Sequence, residues 1–204
     1  MLSKPAQTSE ALHPLIQNRW SPRAFSSKPV GDTQLRRIFE SARWAPSSSN
    51  EQPWRFIIGF LGDQTYIKIF SILVEFNQLW AGTAPVLMLG IAKKTSSKNP
   101  ERQNKSAVYD LGQALAYLTF QAMADDLFVH QMGGFDAAKA AELFQLPADH
   151  EVITVSAIGY IGDPDILSPN FKKMELDQRY RQPIDEMVFT DTFGQPAPFL
   201  TSAG

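Results

Sequence analysis

The chain has 204 residues, which at roughly 150 residues per domain is enough for one domain with a substantial buried core. Hydrophobic residues make up 44% and charged residues 20%, and 12 Gly and 14 Pro are scattered along the chain, which excludes a disordered or collagen-like polymer. A net charge of −2 removes any overall electrostatic pull toward nucleic acid, and the absence of cysteine excludes disulfides, thiolate metal sites and a cysteine nucleophile. With three histidines in all (His13, His130 and His150), the reactive atom of any enzyme built on this chain is expected to come from something other than its side chains.

The start, MLSKPAQTSEALHPLIQ, has no continuous apolar core of signal-peptide length, and the most apolar run, 84–92, is far shorter than the roughly 20 residues of a membrane-spanning helix. A cytoplasmic protein without a membrane partner is the expectation. Residues 9–18 read as a short helix with Ser9 as N-cap and Pro14 tolerable only near its start. Across 31–45, Leu35, Ile38, Phe39 and Ala42 recur at helical spacing, Asp32 or Thr33 can cap the start, and Pro46 ends the run. Trp54–Phe60 and 85–92 are aromatic or β-branched strand candidates. The span between them carries one stripe of Ile67, Phe70, Leu73, Val74, Asn77 and Trp80, which predicts a helix with Asn77 turned inward.

The polar stretch 93–103 reads as an exposed loop and candidate lid. Residues 104–125 are small and apolar on several sides, predicting a central helix packed against more than one neighbour. Phe128 and Val129 begin a short strand, Gly133-Gly134 is a turn, and Asp136 caps a helix to about Phe144. VITVSAIGYI, 152–161, is the strongest strand, and Gly162, Asp163 and Pro164 end it. The last forty residues look irregular apart from Arg179 and Arg181 and the apolar Phe193, Phe199 and Leu200. No repeat or dividing linker interrupts 1–204.

Nucleophile elbow, Walker A loop and dinucleotide-binding glycine fingerprint are all missing. What remains are polar residues where a helix has ended or a strand is about to begin. Arg19-Trp20-Ser21-Pro22-Arg23 puts two guanidinium forks and a hydroxyl within five positions, a set suited to phosphate, although a solvated basic turn has the same composition. APSSSNEQPW, 45–54, is a polar loop rigidified by proline at both ends that can offer backbone and amide donors to a planar heterocycle; an ordinary helix-to-strand connection reads alike.

In order and spacing these segments resemble the opening signature of the nitroreductase family, FMN-dependent NAD(P)H oxidoreductases. Asn77 and Trp80, the run from Gln131 and Met132 through Gly133, Gly134, Phe135 and Asp136, and Arg179-Tyr180-Arg181-Gln182-Pro183 resemble the family's later motifs, so the likeness covers about 18–183. It implies an α+β fold, a central mostly antiparallel sheet flanked by helices, in a homodimer with FMN at the subunit interface. By the same resemblance Arg19, Ser21, Arg179 and Arg181 hold the FMN phosphate, and Arg23 lies near the pyrimidine edge of the flavin, where a fixed cation favours the reduced ring. Trp20, Pro46, Ser47, Ser48, Asn50, Gln52, Trp80, Gln131 and Met132 complete the expected cofactor contacts, with the 46–50 loop reaching FMN of the other subunit. Asn77 is expected to hydrogen-bond the ring or ribityl chain, and Gly133 and Gly134 to bring backbone N–H groups to N5, where a Cβ would obstruct. The tail, 184–204, fits a segment that packs on a partner or on its own subunit. The implied activity is hydride transfer from NADH or NADPH to FMN, then reduction of a nitroaromatic, quinone or similar small-molecule acceptor, with no catalytic side chain required; a specialised relative or a flavin-binding protein without turnover shares the same motifs. His130 beside the turn reads as structural, as lone histidines usually are.

Overall fold

The computed structural model describes residues 2–201. Its elements run α1 (Pro14–Asn18), α2 (Asp32–Arg43), β1 (Trp54–Phe60), α3 (Gln64–Ser71), α4 (Glu75–Ala81), β2 (Val86–Lys93), α5 (Ala107–Ala124), β3 (Phe128–Met132), α6 (Ala137–Leu143), β4 (His150–Gly159), α7 (Pro169–Leu176) and α8 (Pro198–Thr201), with short 3-10 turns at Ser48–Asn50, Pro164–Ile166 and Ile184–Glu186. The sheet order is β1-β2-β4-β3, and all three neighbouring pairs are antiparallel. The α+β expectation therefore holds.

Alternation along the central strands explains why β2 is apolar from Val86 to Ala92, with Lys93 alone polar at its end. Leu87, Leu89 and Ile91 face one core with Phe25, Ile69 and Trp80, while Val86 and Met88 face the other with Ile38 of α2 and Leu111 and Leu118 of α5. A strand covered on both faces has no polar side to show. Burying each of these aliphatic side chains contributes about 1.5–3 kcal/mol. Gly90 is the thin point of the layer: a Cβ there would come within 2.9 Å of Thr154 Cγ2.

Four segments differ from the sequence reading. α1 begins at Pro14 rather than near Ser9, because His13 Nδ1 caps the Leu15 N–H and Pro14 takes the first position, where its missing N–H is harmless. The 64–81 stripe is broken into α3 and α4, since Leu73 leaves the helix to form a bridge with Phe135 and Val74 N donates to Gly134 O at 3.1 Å. Residues 93–103 are fastened rather than free: Thr95 bridges Gln103 and Ser96 is fully buried. The C-terminal stretch contains α7, which Ser168 and Pro169 start and which buries Phe171 and Glu175. Tail residues 202–204 lie outside the described residues. Among the described residues, no helix is long and apolar enough to cross a membrane.

Candidate functional site

The segment after α1 lies across the end of β3 and the C-terminal half of α5. There, Arg19 and Ser21 line a cleft of about 320 Å³ with Ala116, Thr119 and Phe120 of α5 and Val129 and Gln131 of β3. Gln131 faces α5, its Nε2 3.5 Å from Thr119 Oγ1, because it alternates with His130 along β3. Arg19 Nη1 donates to Ser21 Oγ at 3.3 Å, so the two residues already share one orientation.

Arg179 and Arg181 come close enough to act on Arg19 electrostatically. Burial first, then these two positive neighbours, lowers the pKa of Arg19, and burial followed by Arg181 lowers that of Arg179. Arg179 is held in place by donating to Lys4 O at 2.8 Å and Gln17 O at 2.9 Å. Among the described residues, no ion pair joins Arg19, Arg179 or Arg181 to a carboxylate. Arg179 and Arg181 themselves line a separate cleft with residues of the N-terminal segment, and guanidinium groups without an acidic partner have the chemistry to receive an anion.

Arg23 is fixed from a different direction. The Glu175 carboxylate, fully buried on α7, accepts from Arg23 N at 3.0 and 2.9 Å and from Ala24 N at 3.0 Å. Burial lowers the pKa of Arg23, Glu175 opposes that, and the buried Arg23 Nε has no partner. Its guanidinium stands 6.0 Å from the centre of the Trp80 ring. His130 anchors the same segment, its Nδ1 2.8 Å from Pro22 O and its ring 4.4 Å from Trp80. Burial pushes its pKa down to about 4, so at neutral pH it is an uncharged donor to the Pro22 carbonyl. The structural reading of His130 is the one the geometry supports.

Several expected contacts take a different form. Trp20, Trp80 and Met132 are buried core side chains: Trp20 meets Phe128 edge-on and Trp80 lies against Phe25, its buried Nε1 without a partner among the described residues. Asn77 does point inward, yet its Nδ2 donates to Gly134 O at 2.9 Å and stitches α4 to the connection after β3. Gly134 lacks a Cβ because one would fall 2.8 Å from Val74 Cγ2 and 2.9 Å from Asn77 Nδ2; at Gly133 a Cβ would meet nothing within 4 Å. Of the two glycines, Gly133 alone leaves open space over its backbone.

The 46–52 loop lies away from the arginine cleft of its own chain. Ser48 N donates to the buried Asp110 carboxylate at 3.1 Å, and Asp110 and Thr119 are roughly 13 Å apart along α5. Pro46, Ser48, Asn50 and Gln52 are exposed and Ser47 half-buried. Ser47 Oγ accepts from Gln52 N at 3.0 Å, closing the loop. Ser49, Asn50 and Gln52 have φ of 52°, 56° and 47°, left-handed conformations that cost non-glycine residues about 1 kcal/mol or more each. Glu51, between them, turns inward and accepts from Ser96 Oγ at 2.6 Å, Ser97 N at 2.6 Å and Ser97 Oγ at 2.7 Å, which holds its carboxyl down to about 2. Sequence reading passed over Glu51, Asp110, Thr119 and Glu175. Glu51 sits inside a recognised motif and was within reach; Glu175 carries no local signal.

The chain matches the family model described as "Nitroreductase family" over residues 16–59 and 60–160. A Stenotrophomonas maltophilia protein named as a candidate NADH dehydrogenase/NAD(P)H nitroreductase is 26% identical over 193 residues, covering 86% of this chain and 97% of that one. A solved structure described as an oxidoreductase containing FMN superposes with a TM-score of 0.88 at 31% identity, covering 95% of this chain and 98% of the other. A nitroreductase family protein of Clostridium difficile shares the fold, with a TM-score of 0.67 at 22% identity over 87% of this chain and 96% of its own. With its arginine cleft, broken helix and four-stranded antiparallel sheet, the chain belongs to the nitroreductase family of oxidoreductases.

Proposed function

We propose that this protein is an FMN-dependent oxidoreductase that takes hydride from NADH or NADPH and passes electrons, in two successive half-reactions, to a nitroaromatic, quinone or similar conjugated acceptor. The observation that carries this reading is Arg19, which lines the cleft of Thr119, Phe120, Val129 and Gln131, with Arg179 and Arg181 near enough to lower its pKa and no carboxylate paired with any of the three among the described residues. FMN fits the residues present: its phosphate would supply the missing anion, and the buried Arg23 Nε, without a partner in the protein, is suited to the electron-rich edge of its ring. When bound, FMN supplies the hydride-accepting atom and stores the two electrons.

The chain's own contribution is binding and orientation. Arg19, Arg179 and Arg181, with the Ser21 hydroxyl, would hold the phosphate, and Arg179's bonds to Lys4 O and Gln17 O fix one fork before any ligand arrives. Glu175 holds the Arg23 N–H and His130 the preceding Pro22 carbonyl, so the backbone that carries the cation is set in advance, and a cation placed in advance costs less reorganisation when negative charge develops beside it. The open backbone at Gly133 leaves room for a planar partner to approach. Neutral His130 spends its proton on Pro22 O, so no side-chain acid is assigned.

The homodimer belongs to this proposal. One face of α5, with Tyr109, Gly112, Ala116 and Tyr117, is exposed although the helix is small and apolar, which supports a second copy as its other neighbour. The exposed 46–50 loop would then serve the partner's cofactor, and the tail, with Phe193 96% and Phe199 72% exposed, would pack on the partner. The test is anaerobic stopped-flow absorbance of the purified yellow protein. NADH or NADPH should bleach the flavin and a quinone or nitroaromatic restore it; colourless protein that takes up no FMN, or flavin that neither donor bleaches, would overturn the proposal.

A further inference from the structure

We infer that Glu51 is a positioning residue: it locks the 94–104 segment onto the 46–52 loop and thereby sets the left-handed backbone that the loop would present to the cofactor. The inference rests on the proposed FMN site, to which the 46–50 loop belongs; Glu51 and the 94–104 segment play no part in that reading.

The lock has two sides. On the loop, Ser49, Asn50 and Gln52 all have positive φ although none is glycine, a conformation that persists only where the surroundings enforce it. Between them the Glu51 carboxylate is almost wholly enclosed, its side chain 3% exposed. On the other side, every donor to it comes from one short stretch: Ser96 Oγ to one oxygen, Ser97 N and Oγ to the other, with Arg102 Nη2 at 3.4 Å completing the first. Lys98 Nζ reaches across to Ser49 O at 2.8 Å, so the strained carbonyl is gripped as well. The donor stretch is itself closed, with Ser96 N donating to Arg102 O at 2.8 Å, Asn104 N to Lys94 O at 2.7 Å, and Thr95 Oγ1 to Asp149 Oδ2 at 2.6 Å. A segment whose composition reads as a mobile lid is thus a buttress folded around one carboxylate.

Geometry also says which change breaks it. Both Ser97 donors aim at a single carboxylate oxygen, and the backbone N–H cannot become an acceptor. In Glu51→Gln one of the two positions becomes an NH₂ group. Whichever way the amide turns, its NH₂ faces the Ser97 N–H donor to donor, or it faces Arg102 donor to donor beside a Ser96 Oγ that already accepts from Lys98 N and Asn99 N.

The experiment compares wild type, Glu51→Gln, Ser97→Ala and the double variant as flavin-loaded full-length protein. Amide hydrogen exchange of the 46–53 peptide should rise at least about 10-fold in Glu51→Gln and less in Ser97→Ala. The two effects should be non-additive, as expected for groups that share one contact. The induced visible circular dichroism of the bound flavin should change in parallel and the FMN dissociation constant rise about 10-fold, readouts that a residue serving only overall stability would leave alone while the protein is folded. Unchanged exchange in 46–53 would overturn the lock; raised exchange with unaltered flavin dichroism and FMN affinity would overturn the positioning role. If Glu51→Gln does not fold, Ser97→Ala, which removes one hydroxyl, decides by the same readouts. Wild-type protein that takes up no FMN would sink the functional proposal, and exchange in 46–53 would still decide whether Glu51 holds the loop.

Discussion

The arginine cluster and the Glu51 junction are both charged and both lie in loops against α5, yet the protein treats their charges in opposite ways. Glu51 has every lone pair met by the protein itself, whereas Arg19, Arg179 and Arg181 gather without a carboxylate and are pushed together at some electrostatic expense. Burying like charges is unfavourable unless something outside the chain neutralises them. The satisfied carboxylate is therefore architecture, and the arginines, which bond only to a hydroxyl and to carbonyls, are where the proposed function puts an anion. Arg23 combines the two patterns: its backbone is satisfied by Glu175, while its buried Nε is left without a partner.

The largest effect should come from removing the satisfied support under Arg23. Glu175→Ala leaves Arg23 N and Ala24 N buried without an acceptor, at about 3 kcal/mol for the pair. Urea unfolding of the flavin-free protein measures this; a loss under about 1 kcal/mol would mean that water replaces the carboxylate and that the segment is not held as described. A similar magnitude attaches to His130 through pH. Its folded pKa of about 4 lies below the unfolded value near 6.5, so the unfolded chain takes up the proton first on acidification. The contribution is complete above about pH 6.5 and is lost as pH falls toward 4, by on the order of 3 kcal/mol. His130→Gln keeps a donor for Pro22 O but does not titrate there, so its stability should fall less steeply between pH 6.5 and 4; parallel curves would remove His130 as the source.

On the ligand side of the comparison, the sign for stability reverses. Arg19→Ala should weaken FMN retention by about 1.5–3 kcal/mol, roughly 10- to 100-fold in dissociation constant, because a charge-assisted contact to phosphate is lost. The flavin-free protein should be no less stable, since a like-charge neighbour of Arg179 and Arg181 has gone. Fluorescence titration with FMN, paired with unfolding of the apo form, reads both. Unchanged affinity would refute the phosphate assignment, and a destabilised apo form would place Arg19 among the structural residues.

Residues that announce themselves locally were legible in the sequence, and those that act through distant partners were not. The strands, α2, α5 and the capped α6 follow from periodicity and caps, and the Arg19–Arg23 segment stands out by its composition. Glu175 was invisible because α7 buries Phe171 and, one turn later, a carboxylate, so no apolar stripe forms. The break between α3 and α4 was hidden for a related reason: the local pattern favours one helix, and a bridge from Leu73 to Phe135, far along the chain, overrides it. The 93–103 stretch misled in the same manner, since serines and lysines that look solvated are folded around Glu51. Gly133-Gly134 reads as a turn, yet the structure has an irregular connection there that runs into the bridge of Phe135 with Leu73, and sequence could not tell which glycine is required by packing and which is open.

That last pair gives the finest test of satisfied against open. At Gly134 an added Cβ would press on Val74 Cγ2 and on the Asn77 amide, the group that donates to Gly134 O, so Gly134→Ala should cost about 1 kcal/mol as those side chains shift. Both contacts are side-chain ends, which is why the change should be tolerated rather than ruinous. Gly133→Ala meets nothing in the protein and should leave the unfolding midpoint of the apo form almost unmoved. If Gly133 is where a planar partner approaches, its alanine variant should instead slow bleaching of the bound flavin by NADH or NADPH. A Gly133→Ala protein with full stability and full bleaching rate would return Gly133 to the status of a plain connecting residue, and equal stability losses at both positions would mean that the connection responds as one unit, with no open side to offer.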